Sequence, residues 1–114
     1  METIRTNRIL AAYPDNFIDW DKVNLYAKEM NDQDTNQGVI DFPPISGFYD
    51  VVNSNDLGNY FNYANYDNHE LITKKHLGLE VFRVTDGNHR TCAAQLANIF
   101  SLETQKDLSG FVNY

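Results

Sequence analysis

The stretch Leu79-Glu80-Val81-Phe82-Arg83-Val84-Thr85-Asp86-Gly87-Asn88-His89-Arg90-Thr91-Cys92-Ala93-Ala94 decides the fold. Leu79 to Thr85 is rich in branched and aromatic residues and long enough for one strand. Phe82 and Val84 share one face of that strand and point into the core, while Val81 turns to the other face, where it is expected to cover a helix. Gly87 has no β-carbon and can take the torsions of a sharp turn. Arg90 to Ile99 then reads as a helix whose small Ala93 and Ala97, with Leu96, allow close approach to a sheet. The predicted unit is strand, tight turn, helix.

Upstream, Ile9 to Tyr13 is short and apolar, and Pro14 with Asp15 stops it, so it reads as a first strand. Val23, Tyr26, Ala27 and Met30 recur at helical spacing after Asp19 and Asp21, either of which can accept first-turn amides. Polar Asn31 to Gly38 is expected to end that helix in a solvated connection. Pro43 and Pro44 forbid a regular helix and remove two ladder donors, so Val39 to Val52 is expected as an extended piece, partly an edge strand, with Ser46 to Val52 continuing as a strand.

Residues 53–68 carry a triplet pattern, Asn59, Asn62, Asn65 and Asn68, interleaved with Tyr60, Tyr63 and Tyr66. The pattern reads as an insertion. It is either a short surface helix on Leu57, Tyr60, Phe61 and Ala64 or an irregular tyrosine-rich loop. Its rings serve to pin the insertion down, to meet a partner or to stack on a base. Asn68 to Gly78 has helix punctuation, with Glu70 early and Lys74, Lys75 and His76 late. Phe100 to Thr104 is a last short strand, and Gln105 to Tyr114 a polar tail. Together these elements predict one α+β domain over residues 1–114, a small mixed sheet packed by helices.

Sixteen acidic against nine basic side chains give a net charge of -7, which repels polyanions, so unselective duplex DNA binding gains no support from charge. The same balance suits a basic surface on a protein partner. Cys92, the single cysteine, has no internal disulfide partner, and the opening residues Met1 to Arg8 contain no apolar secretory core. No run approaches the roughly 18 apolar residues of a membrane span. The expectation is a cytoplasmic protein that makes no membrane contact.

The corner Asp86 to Arg90 concentrates the chemistry. Amides at a helix start, aided by the positive end of the dipole, attract an anion, and phosphate is the obvious one. Gly87, Asn88, His89 and Arg90 are the candidate ligand-binding residues, and Asp86, His89 and Arg90 the candidate catalytic ones. Arg90 offers a planar fork for two oxygens. His89 can donate to phosphate or exchange a proton, and Asn88 can cap the helix or bind ligand. Asp86 can orient Arg90 or His89, hold a magnesium ion, or act as a base. Each has a structural rival: Asp86 accepting turn amides, His89 satisfying nearby backbone, Asn88 serving only as a cap, and Arg90 pairing with Glu80 or Asp86.

This corner, with the strand before it, resembles the ParB/sulfiredoxin superfamily, whose small α/β domains carry a Gly-x-His-Arg or related phosphate-binding corner. The resemblance implies a phosphate- or nucleotide-binding ParB-like domain, with phosphohydrolase or nuclease activity open, and a nucleotide with Mg²⁺ as the accompanying groups. Asn88 stands where sulfiredoxin-like proteins place a reactive cysteine, and Cys92 lies one turn later on the packing side, so sulfinic-acid reduction is not implied. The separate DNA-reading domain of partition proteins has no room here. Asp15, Asp19, Glu70 and Glu80 are candidates for a second catalytic carboxylate. The competing reading is a non-catalytic plasmid- or phage-encoded interaction protein acting through its acidic, tyrosine-bearing surface.

Overall fold

The computed structural model describes residues 2–12, 19–54, 60–62, 70–71 and 77–107. Along the chain these form β1 (Glu2–Arg5), a 3-10 turn (Thr6–Arg8), β2 (Ile9–Ala12), α1 (Trp20–Gln37), β3 (Ile45–Val51), β4 (Tyr60–Asn62), β5 (Glu70–Leu71), β6 (Glu80–Asp86), α2 (Asn88–Leu96) and β7 (Ser101–Lys106). Five strands in the order β1-β7-β3-β6-β2 make a mixed sheet, antiparallel at β1–β7 and β3–β6, parallel at β7–β3 and β6–β2. Short β4 and β5 extend it antiparallel beyond β2. The domain is α+β, a mixed sheet packed by two helices among the described residues.

Alternation in β6 sets the layers. Phe82 and Val84 join Ile4, Ile9, Ile45 and Leu102 in a core closed by Val23 and Met30 of α1 and by Cys92, Ala93 and Ala94 of α2. Val81 faces the other way, as expected, but packs with Leu10 and Val52 rather than with a helix. Arg83, on that same face, is buried and pairs through Nε with Asp50 Oδ2 at 3.1 Å while Nη2 donates to the Val51 carbonyl. Sequence alternation alone gives no reason to expect an arginine inside.

Buried Gln95 fastens α2 to the start of the chain, its Nε2 donating to the carbonyls of Thr6 and Ile9, each at 2.8 Å. Thr6 Oγ1 in turn donates to the Ile99 carbonyl at 2.6 Å. These bonds bring side-chain donors to buried backbone oxygens, the Thr6 carbonyl also accepting from the Ile9 amide, and they tie down the far end of α2.

Several expectations are corrected. α1 does not stop at Asn31 but runs on through Gln37, because its outer face needs no apolar residues; Gly38, at φ +69°, ends it and its amide donates to the Asp34 carbonyl. β3 is no edge strand: it lies between β7 and β6, and Pro43 and Pro44 precede the ladder rather than interrupt it. Tyr60–Asn62 is a strand paired with β2, not part of a surface helix, and Glu70–Leu71 is a strand paired with it, not the first turn of a helix. An exposed strand edge on β2 competes for these residues and local helix propensity loses. Gln105 and Lys106 belong to β7 rather than to a polar tail. Tyr13, Asp15, the tyrosines at 63 and 66, His69, His76 and residues 108–114 lie outside the described residues.

Candidate functional site

At the end of β6, Gly87 takes φ +109° and ψ 27°, a left-handed conformation that turns the chain directly into α2. The Cβ of any other residue there would stand 2.7 Å from Ile45 Cγ2, so the corner admits glycine on both torsional and steric grounds. Gly87 itself is the N-cap, with no side-chain cap bond; Asn88 is the first helical residue, correcting its reading as the cap. Thr91 closes the turn, its amide and its Oγ1 both donating to the Gly87 carbonyl.

α1 starts beside this corner. Asp19 is its N-cap, with Oδ1 accepting from the Lys22 amide at 3.2 Å, and the Asp19 amide donates to His89 Nε2 at 2.9 Å. Two helix N-termini therefore meet, each bringing the positive end of its dipole. His89 acts here as an acceptor, which requires an unprotonated Nε2 and leaves the ring proton on Nδ1. Its expected role as donor to phosphate through that nitrogen is not what the geometry shows.

Arg90 is only 16% exposed at its side chain, and its Nη1 donates to the carbonyls of Pro43 and Pro44 at 2.8 and 2.9 Å. Its Nη2 reaches Asp86 Oδ2 at 3.4 Å, the structural pairing weighed from the sequence. The fork thus clamps the proline segment against the start of α2. Asp86 keeps 79% of its side-chain surface and is the open member of the pair.

A recess of about 490 Å³ opens over the corner, lined by Asp86, Gly87, His89 and Arg90, by Lys22, Tyr26 and Glu29 of α1, and by Asp41, Phe42 and Pro43. Tyr26 and Phe42 meet edge to face at 5.3 Å, and Lys22 Nζ stands 5.5 Å from the Tyr26 ring centre. Lys22, Tyr26 and Glu29 were missed as site residues, although their spacing of four and three places them on one helix face. Of the four candidates for a second carboxylate, Asp19 is committed to capping, and Glu80 lies at the opposite end of β6 from Asp86. The carboxylates that line the recess beside Asp86 are Glu29 and Asp41.

Charge in the recess is mixed. Lys22 and Arg90 face three carboxylates, Glu29, Asp41 and Asp86. Among the described residues no group of three His, Cys, Asp or Glu is arranged to hold a metal ion. Asp86 alone would leave a magnesium ion dependent on water and on the ligand's own oxygens. Cys92 lies behind the corner, fully buried, and burial pushes its thiol up to about 12, which makes it a packing residue. No helix among the described residues is long and apolar enough to cross a membrane.

Comparison with known protein families, with characterised proteins and with solved structures finds no match for this chain.

Proposed function

We propose that this protein binds a phosphate-bearing small molecule or nucleotide in the recess over Gly87, as the ParB/sulfiredoxin-like corner implies. The observation that carries this reading is the 2.9 Å bond between the Asp19 amide and His89, which brings two helix N-termini together on one opening that Lys22 and Arg90 also line. The recess falls within the several hundred Å³ usual for small-molecule sites, and Tyr26 with Phe42 gives it an aromatic wall. Glu29 and Asp41 suit hydroxyl or amino groups on the rest of the ligand better than a second phosphate.

The reading is of binding rather than turnover. Hydrolysis of a phosphate ester would require His89 to leave Asp19 and Arg90 to leave the two proline carbonyls. The interaction-protein reading draws on net charge, because most of its tyrosine-bearing segment lies outside the described residues.

The test is a titration with inorganic phosphate and with ADP, with and without magnesium, followed by amide NMR. The His89 and Arg90 amides are expected to shift first. Lys22→Glu, at an exposed position, should weaken binding about tenfold, equivalent to about 1.4 kcal/mol, without altering the melt. Shifts confined to other surfaces, or an unchanged affinity in Lys22→Glu, would refute the assignment.

A further inference from the structure

A histidine in a strand-turn-helix corner invites the role of proton carrier, yet the bond from the Asp19 amide gives His89 a different task. Its Nε2 meets a backbone amide, which has a proton to give and no lone pair to offer. The amide belongs to Asp19, the residue that caps α1 through Oδ1 and holds the amide of Lys22. Lys22 is the cation that α1 contributes to the recess. One imidazole in the first turn of α2 thus sets the position of the first turn of α1.

We infer that His89 is a positioning residue: a neutral imidazole, protonated on Nδ1, whose Nε2 lone pair holds the Asp19 amide and keeps Lys22 at the mouth of the recess. A hydrogen on Nε2 would stand N–H against N–H with Asp19, so the 2.9 Å contact needs the lone pair on that nitrogen. The same arrangement withholds Nε2 from a bound phosphate. The effect on affinity rests on the phosphate-binding reading; the tautomer and the latch do not.

The experiment joins a ring spectrum to two variants. In uniformly ¹⁵N-labelled protein, His89 Nε2 should resonate as an unprotonated, pyridine-type nitrogen and Nδ1 as a protonated one. Glutamine places an amide oxygen near the position of Nε2, so His89→Gln should keep the Asp19 amide slow to exchange and hold phosphate affinity within about threefold of the wild type. His89→Ala should speed that exchange and lower affinity about tenfold. A protonated Nε2 overturns the inference, as does equal weakening in both variants, which would mark the imidazole as a direct ligand group. If inorganic phosphate fails to bind even the wild type, the binding reading falls alone. The ring spectrum and the Asp19 exchange rates then still decide the latch.

Discussion

Replacing Arg90 by alanine separates a clamp from a phosphate grip. The side chain is largely buried, and its two short bonds to the Pro43 and Pro44 carbonyls are charge-assisted. Such bonds contribute about 1.5–3 kcal/mol each, and because Pro43 is exposed and Pro44 half-buried, water can replace part of the loss. The lower end applies, about 3 kcal/mol for the pair. The contact with exposed Asp86 adds at most about 0.5 kcal/mol. With an unfolding entropy of about 2.1 cal/mol/K per residue, a chain of this length should melt about 12 °C lower. Differential scanning calorimetry at pH 7 measures this directly, without any ligand. Arg90→Lys retains the charge but not the fork, so its melting point should fall between the two. A melting point for Arg90→Ala within about 2 °C of the wild type would refute the clamp and return the guanidinium to the recess.

Three other perturbations test the frame around the site. Gly87→Ala drives a methyl against buried Ile45 in a left-handed conformation, and should cost about 2–4 kcal/mol in urea denaturation; a loss below about 1 kcal/mol would show the corner can relax. Gln95→Leu keeps the volume but removes a buried donor from the carbonyls of Thr6 and Ile9, at about 1–3 kcal/mol by the same assay, and Gln95→Ala should not be milder. Cys92 should resist a thiol reagent at pH 8 until the protein is unfolded. Its folded value of about 12 lies above the ordinary 9.0, so the unfolded chain loses the proton first. The stability tied to this thiol is intact below pH 9 and erodes as pH climbs toward 12, a slope that Cys92→Ala should lack.

What the sequence made legible follows physical signal strength. β6 and α2 could be read because a run of branched residues gives way at Gly87 to alanines at helical spacing, two periodicities that cannot share one element. α1 could be placed from Val23 and Met30 but not measured, since residues 31–37 face solvent and their polarity looks the same in a loop as on a helix exterior. β1 gave no signal at all: four residues with one buried, Ile4, whose partners lie about a hundred positions away. At the candidate site, the sequence named the strand-turn-helix corner but not its wiring. Arg90 and His89 carry groups suited to phosphate, and only three-dimensional proximity reveals that Pro43, Pro44 and Asp19 offer backbone atoms to those same groups.

The pairing of Glu2 with Thr104 imposes an order of assembly. During synthesis β1 leaves the ribosome ahead of the other described strands and waits for β7 before its backbone pairs, and Thr6 and Ile9 wait likewise for Gln95. Loop closure over such spans slows folding. The nascent chain therefore carries an unmatched strand edge until nearly all of these residues have left the ribosome, and that interval is when aggregation or chaperone capture competes most strongly with the native sheet.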